Sequence, residues 1–516
     1  MEADKQIERI EMYEKNQVID IEIVDMSDQA QGIGKAKEAG VEAGVEAGDV
    51  AGKAKEAGVE AGVEAGETAG KADGFTVFVP GTLPGDKVRC RLTKVKKRYA
   101  FGVVEEMIEP SEDRIEKMCP YAGDCGGCAY AEYDIEAQRA LKTKQIRDKL
   151  VRLAGIEEPV IRPMLAGEDL FAYRNKAVMP ISTGGNIKRK GGVIENLGEP
   201  AVGFNRVRTH DVVDCETCML QSPAAMAAAA AMREFMTEDN ITAWDEKWKQ
   251  GLMRQMTVKT ARGTGEVMVI CRINGKGIPN VEKLIGMMDD SIAEAGFYFE
   301  SFYIDNDKDL KLVAGRNVIT EQIGGITFEI SPRSFYQVNP EMMAKLYDKV
   351  REYAALDGDG VLLDLYCGVG SIGLWCAAEA GYIIGIEREH QAVLDANRNA
   401  VINGIVNARY IEGAAEEVMQ KVVSEEADSD LTEMIRNAEV AVIDPPRAGC
   451  DSRMIEALAQ LAPERIVYVS CDPATMARDI KSLCEKGYEF AEATPADMFP
   501  WTRHVETVVL LSRKAG

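Results

Sequence analysis

Apolar and polar positions follow two rhythms along this chain. In the N-terminal part they alternate over short runs: Val18-Ile19-Asp20-Ile21-Glu22-Ile23, Phe75-Thr76-Val77-Phe78-Val79, Lys87-Val88-Arg89-Cys90-Arg91-Leu92 and Ala100-Phe101-Gly102-Val103-Val104. A period of two predicts strands with one buried face, and Gly81, Pro84 and Gly85 supply the turns. Short strands this closely spaced predict a small OB-like β-barrel over residues 1–112, an architecture that commonly binds single-stranded nucleic acid. Over residues 340–516 solid apolar runs replace the alternation. They predict strands at 361–366, 382–387, 440–443 and 465–470, a final pair near 487–493 and 504–512, and helices at 340–355, 389–403 and 452–460. That order belongs to a doubly wound, Rossmann-like α/β domain. A central α+β domain, residues 113–339, lies between, so the fold class is multidomain α/β.

One segment fits neither rhythm. KAKEAGVEAGVEAGDVAG (35–52) is followed by KAKEAGVEAGVEAGETAG (53–70), a repeat expected between the first two barrel strands, its copies differing only at Asp49/Glu67 and Val50/Thr68. Glycine at every fourth position costs a helix roughly 1 kcal/mol each against alanine. A marginal helix or a disordered surface loop is expected.

Candidate chemistry gathers in the C-terminal domain. Leu362-Leu363-Asp364-Leu365-Tyr366-Cys367-Gly368-Val369-Gly370 runs from a strand through glycines into a helix expected over Ser371–Ala380. Glycines let the backbone turn sharply and a ligand approach, and a helix start offers free N–H groups. The next strand ends in Glu387, 17 residues after Gly370, where an acid can accept hydrogen bonds from ribose hydroxyls. A nicotinamide site would satisfy part of this, but Asp-Leu-Tyr-Cys is unlike a dinucleotide turn. Cys471 ends another apolar run, follows Asp444-Pro445-Pro446-Arg447 in sequence, and precedes Asp497-Met498-Phe499-Pro500 and His504-Val505-Glu506. A lone cysteine is more often a buried filler than a nucleophile; the neighbouring motifs alter that balance.

A second constellation is Cys119-x5-Cys125-Gly126-Gly127-Cys128. Three thiols so close in sequence suit a metal or cluster, with Cys215 or Cys218 available as the fourth ligand. Zinc and a [4Fe–4S] cluster both take four thiolates, and spacing alone does not separate them. The spacing is not that of radical enzymes using S-adenosylmethionine.

Four motifs, Ser331-Pro332-Arg333-Ser334-Phe335-Tyr336-Gln337-Val338-Asn339, DPPRAG, SCDPATMARD and DMFPWTRHVE, make the chain resemble the RNA uracil-5-methyltransferase family of class I S-adenosylmethionine enzymes. GIGKA, DGFTVFVPGTLPGD and KKRYAFG resemble that family's TRAM RNA-binding domain. The chemistry follows from uracil itself. Its C5 is too weak a nucleophile to attack a sulfonium methyl until a thiolate adds to C6 and makes an enolate. The resemblance implies Cys471 as that nucleophile and Glu506 as the base that removes the C5 proton. A free thiol is only a few per cent thiolate at neutral pH, so its surroundings must lower its pKa or supply a base. Gln337, Tyr366, Glu387 and Asp444 are implied contacts of S-adenosylmethionine, with Glu387 on the ribose. Phe335 is expected to stack on a flipped-out or unpaired uracil, and Arg447 to steady the enolate or a phosphate. His504 is expected to be a supporting or substrate contact rather than the base, and Ala414 stands where some relatives have a polar side chain. One branch of the family holds a [4Fe–4S] cluster on such cysteines. Cys218-Met219-Leu220-Gln221 matches its last ligand, which implies Cys119, Cys125, Cys128 and Cys218. The family acts on 23S rRNA and tRNA; the TRAM-like domain and the cysteines favour 23S rRNA, with tRNA as the alternative.

Composition changes this picture in two places. A net charge of −24 opposes general affinity for nucleic acid, so RNA contact must be local. Three basic clusters qualify: Arg89 to Arg98, Lys188-Arg189-Lys190, and Arg139 to Arg152 on one helix whose basic face serves either solvent or RNA. Twelve cysteines without an apolar leader or a membrane-length apolar run point to a reducing, cytoplasmic setting with no membrane and no obligate protein partner. A DNA cytosine methyltransferase would need Pro-Cys at the nucleophile. A non-catalytic RNA-binding module or an iron–sulfur electron carrier would leave Cys471, Glu506 and the cofactor loop unexplained.

Overall fold

Five strands close the N-terminal barrel: β1 (Val18–Met26), β2 (Gln31–Ala36), β3 (Phe75–Pro80), β4 (Lys87–Val95) and β5 (Tyr99–Glu109), in the order β1-β2-β3-β5-β4. The computed structural model describes residues 13–36, 75–183, 187–190, 193–196, 200–424 and 430–514, with side chains undescribed over 187–190 and 193–196. Alternation puts Ile21, Ile23, Val77, Val79, Val88, Cys90 and Leu92 inside the barrel. β2 escapes the hydrophobic pattern because it packs through glycine: a Cβ on Gly32 would lie 2.0 Å from Thr82 Oγ1. Ala36 pairs with Phe75 across β2 and β3; residues 37–74, with nearly all of the tandem repeat, lie outside the described residues. The basic cluster of this unit divides in two. Arg89 pairs with Asp20 and Glu106, and Arg91 with Glu105.

Two compact units divide the chain, Met1–Glu116 with Glu132–Asp134, and Lys117–Ala131 with Ile135–Gly516. The second unit holds two seven-stranded sheets. Its first helix, α1 (Ile135–Lys149), ends in a π turn at Leu150–Ala154, where Gly155 takes φ 76°. The central strands are β6 (Lys176–Ser182), β7 (Ile187–Lys190), β8 (Val193–Asn196), β9 (Ala201–Asn205), β10 (Val212–Asp214), β11 (Met253–Thr260), β12 (Glu266–Ile273), β13 (Tyr298–Asp305) and β14 (Leu310–Gly315). The sheet order is β10-β9-β6-β11-β12-β13-β14, with β7 and β8 forming a separate hairpin. Helices α2 (Pro223–Glu238) and α3 (Val281–Glu294) bury Ala228, Met232, Phe235, Leu284 and Met288 against this sheet. The hairpin β15 (Ile319–Ile323) and β16 (Ile326–Ile330) leads on to α4 (Pro340–Ala354), which Asn339 caps.

The last sheet is doubly wound. Its strands are β17 (Val361–Leu365), β18 (Tyr382–Glu387), β19 (Ala408–Glu412), β20 (Val440–Ile443), β21 (Arg465–Ser470), β22 (Tyr488–Ala496) and β23 (Glu506–Arg513), ordered β19-β18-β17-β20-β21-β23-β22. Pairing is parallel as far as β21, and β23 then runs antiparallel to both neighbours. Helices α5 (Ser371–Trp375), α6 (His390–Ile402), α7 (Ala415–Val423), α8 (Asp430–Arg436), α9 (Ser452–Leu461) and α10 (Pro473–Glu485) complete it. The helix expected to reach Ala380 stops at Trp375, because the Cys376 N–H is shared between Ile372 and Gly373 carbonyls and the last turn tightens. Among the described residues no helix is long and apolar enough to cross a membrane.

The basic helix reading is corrected here at Lys142 and Arg139. Lys142 is fully buried, and its Nζ donates to Asp497 Oδ1 at 2.7 Å and to the Phe499 carbonyl at 3.1 Å. Arg139 Nε reaches Asp497 Oδ2 at 3.2 Å. Arg139 and Lys142 are thus committed to Asp497, whereas Lys144, Arg147 and Arg152 of the same basic cluster are exposed. The committed pair braces the loop that leads into β23.

Candidate active site

Parallel strands end at one edge of their sheet, so loops distant in sequence meet there. β20 ends at Ile443 and β21 at Ser470, while β23 starts from that same edge at Glu506. Its register pairs Thr507 with Ser470, which sets Glu506 opposite Cys471. Asp472 caps α10 by accepting from the N–H groups of Ala474 at 2.9 Å and Thr475 at 3.1 Å. Cys471 is thereby held in a tight strand-to-helix turn.

The electrostatics of this group are dominated by carboxyls. Burial, then the charges of Glu506 and Asp444, push the Cys471 thiol up to about 11, against the pull of Arg447. The surroundings do not acidify the thiol; they place carboxyls beside it. Burial and Asp444 hold Glu506 well above an ordinary glutamate, and Glu506 is 5% exposed. Burial likewise pushes Asp444 and Asp364 up to about 7, with Asp364 acting on Asp444 and Glu387 on Asp364. Arg447 is exposed. Burial and Arg503 push His504 down to about 4, so its imidazole is neutral near neutral pH, and its ring meets Phe499 edge-on at 6.1 Å.

The glycine loop sits beside these acids. Tyr366 takes φ 65°, followed by Gly368 at 55° and Gly370 at 77°. A left-handed non-glycine residue costs about 1–3 kcal/mol and persists where its surroundings over-determine it. A Cβ on Gly370 would lie 2.6 Å from the Tyr410 ring. Glu387 accepts from the Gly368 N–H at 3.0 Å and the Glu389 N–H at 2.8 Å. Asp364 Oδ2 accepts from the Gly373 N–H at 2.9 Å, whereas its Oδ1 is buried with no partner among the described residues. Sequence reasoning misses Asp364, although a carboxylate inside the apolar run Leu362–Leu365 is itself a signal.

Phe335 stands 59% exposed on the loop between β16 and α4, and Gln337 is buried on the same loop. Asn175 Nδ2 donates to the Gln337 carbonyl at 2.8 Å.

Cys119, Cys125, Cys128, Cys215 and Cys218 line one cavity of about 400 Å³ together with Arg174, Phe335 and Trp501. Burial, with Cys218, Cys125 and Cys119 as its acidic neighbours, pushes Cys128 up to about 12. Cys215 Sγ is within hydrogen-bond range of both the Val213 carbonyl, at 3.4 Å, and Cys125, and donation to Cys125 lowers that thiol. Among the described residues no three His, Cys, Asp or Glu side chains are grouped closely enough to hold one metal ion.

The family model described as tRNA (Uracil-5-)-methyltransferase matches residues 299–514, and the TRAM domain model matches residues 51–104. A protein of Halalkalibacterium halodurans named as an uncharacterized RNA methyltransferase is 37% identical over 86% of this chain and 93% of its own. One of the same description from Caldanaerobacter subterraneus subsp. tengcongensis is 37% identical over 86% of this chain and 94% of its own. The crystal structure of Pyrococcus abyssi tRNA (uracil-54, C5)-methyltransferase with S-adenosyl-L-homocysteine has a TM-score of 0.65 at 27% identity, covering 85% of this chain and 97% of that one.

Proposed function

Because this chain belongs to the RNA uracil-5-methyltransferase family, with a TRAM domain and S-adenosylmethionine-dependent chemistry, we propose that it methylates C5 of one uridine in 23S rRNA through a covalent Cys471 adduct. The observation that carries the mechanism is the meeting of Cys471, Glu506, Asp444 and Arg447 at the edge where β20 and β21 end and β23 begins.

S-adenosylmethionine, when bound, supplies an electrophilic methyl group on a cationic sulfonium. The chain supplies the rest. Gln337, Tyr366, Glu387 and Asp444 bind the cofactor, and the buried Asp364 adds negative charge that favours a cation. Phe335 stacks on the uracil. A neighbouring carboxylate takes the Cys471 proton, the thiolate adds to C6, and Arg447 steadies the enolate. The enolate's C5 takes the methyl group as the bond from that methyl to the sulfonium sulfur breaks, which would leave a neutral thioether. Glu506 then removes the C5 proton, and the C–H electron pair restores the C5–C6 double bond as the Cys471 thiolate leaves. Glu506 suits that last step because burial beside Asp444 makes it more basic than an ordinary carboxylate.

The same proposal gives the [4Fe–4S] cluster to Cys119, Cys125, Cys128 and Cys218. What supports this is that the four thiols line one cavity and that Cys218, Cys125 and Cys119 each act on Cys128. The cluster would tie the segments at 119–128 and 218 together; the methyl transfer requires no electron from it.

A tRNA uridine is the second reading, favoured by the likeness to the Pyrococcus abyssi enzyme. Labelled S-adenosylmethionine incubated with unmodified 23S rRNA and with unmodified bulk tRNA separates the two. Label at C5 of uridine in one RNA, absent with Cys471→Ala, is the expected result. No label in either RNA, from protein that binds the cofactor, refutes the assignment.

A further inference from the structure

Large aromatic side chains seldom stand so exposed on a well-held backbone, yet Phe335, at the wall of the cysteine-lined cavity, is 59% exposed. Its backbone is gripped from two sides. From the central sheet, Lys259 on β11 donates through Nζ to the carbonyls of Ser331 and Ser334, both at 2.8 Å. From the methyltransferase sheet, Asp395 on α6 accepts the Ser331 hydroxyl at 2.8 Å and the Ser334 hydroxyl. All four residues are buried.

Both grips are costly to build. An ammonium group taken out of water loses several kcal/mol of hydration unless charge and hydrogen bonds replace it. Lys259 receives two neutral carbonyls and no carboxylate within ion-pair range among the described residues. Asp395 is better supplied, with Gln391 Nε2 at 2.9 Å and the Arg398 guanidinium also donating to it. A methionine would fill the Lys259 position without that cost. Burial and the neighbouring Lys176 push the Lys259 amine down to about 7; amine and carboxylate hold the same two serines by different atoms, so carbonyl and hydroxyl are fixed at once. The next residue is Phe335. Gln337 is anchored separately through Asn175.

We propose that Lys259 and Asp395 are positioning residues that pre-organise Ser331–Phe335, so that Phe335 already stands in place when the target uracil arrives. The inference rests on the reading of Phe335 as the base-stacking residue. Neither residue touches the reacting atoms; they act through the loop. Pre-organisation matters here because a reacting group displaced by about 1 Å can lose about 100-fold in rate.

The test uses the full-length protein with Lys259→Met, Asp395→Asn and Phe335→Ala. Hydrogen–deuterium exchange is read over residues 331–338, and methyl transfer is measured on whichever unmodified RNA accepts label. In Lys259→Met we expect exchange confined to that segment to rise about tenfold or more. The kcat/KM for RNA should fall about 100-fold, while the KM for S-adenosylmethionine stays within about twofold. Unchanged exchange in the segment overturns the clamp. Faster exchange with methyl transfer within about twofold of wild type overturns the positioning role. Should Lys259→Met loosen the whole protein, Asp395→Asn decides by the same readouts. Phe335→Ala tests the underlying reading separately: full activity in that variant removes the stacking residue, and the positioning role with it, whatever the exchange shows.

Discussion

Cofactor binding should depend on pH in a way that separates the cationic donor from its neutral product. Asp444 and Asp364 are both pushed up to about 7 by burial. Each is therefore about one-tenth ionised near pH 6 and about nine-tenths ionised near pH 8. A sulfonium cation gains from the ionised form, so S-adenosylmethionine should bind about tenfold more tightly near pH 8 than near pH 6 for each carboxyl it feels. S-adenosylhomocysteine has the same amino, carboxylate and adenosine groups but a neutral thioether. The ratio of the two dissociation constants thus isolates the sulfonium. We expect that ratio to change by about tenfold to 100-fold between about pH 6 and 8, with the larger change if both acids contribute. Isothermal titration at several pH values measures it, and Asp444→Asn should remove one carboxyl's share. A ratio constant within about twofold over that range refutes the argument that these acids are held for a cation.

Cys471→Ala should reduce methyl transfer by about 10⁴-fold or more. Glu506→Gln should stop after methyl transfer and leave RNA covalently attached to protein, visible as a slow band on a denaturing gel. Lys142→Ala removes the closer of the two cations on Asp497, leaving Arg139, and should cost about 3 kcal/mol in chemical denaturation. Lys142→Met with Asp497→Leu should recover most of that loss. Anaerobically purified Cys218→Ala should lose its iron and sulfide and the associated visible absorption, whereas Cys215→Ala should keep them; the reverse pattern would reassign the fourth ligand. Replacing residues 37–74 by an Asn-Gly turn, which suits the facing pair Ala36 and Phe75, should leave the melting temperature of the barrel and the methyl transfer rate within experimental error.

Strand identity was legible wherever hydrophobic periodicity was strong. β17, β18, β20 and β21 are continuous apolar runs, and such runs need a covered parallel sheet. β2 was not legible, because its glycines pack by leaving side chains out. α1 misled in a different way. Its lysines and arginines read as surface charge, but Lys142 is buried against Asp497, some 355 residues away; a partner at that separation leaves no local mark.

The sequence by itself determined the chemical inventory: the motifs around Cys471, Asp444 and Glu506, the glycine loop, and the cysteine cluster. These are local patterns of residue type, and local patterns survive in one dimension. Only the tertiary structure decided how those groups affect each other. The antiparallel return of β23 put Glu506 opposite Cys471, and shared burial raised both groups. The grip of Lys259 and Asp395 on Ser331 and Ser334 likewise joins strands and helices from different parts of the chain. Desolvation and charge coupling depend on distance and enclosure, and both are settled when the sheets pack.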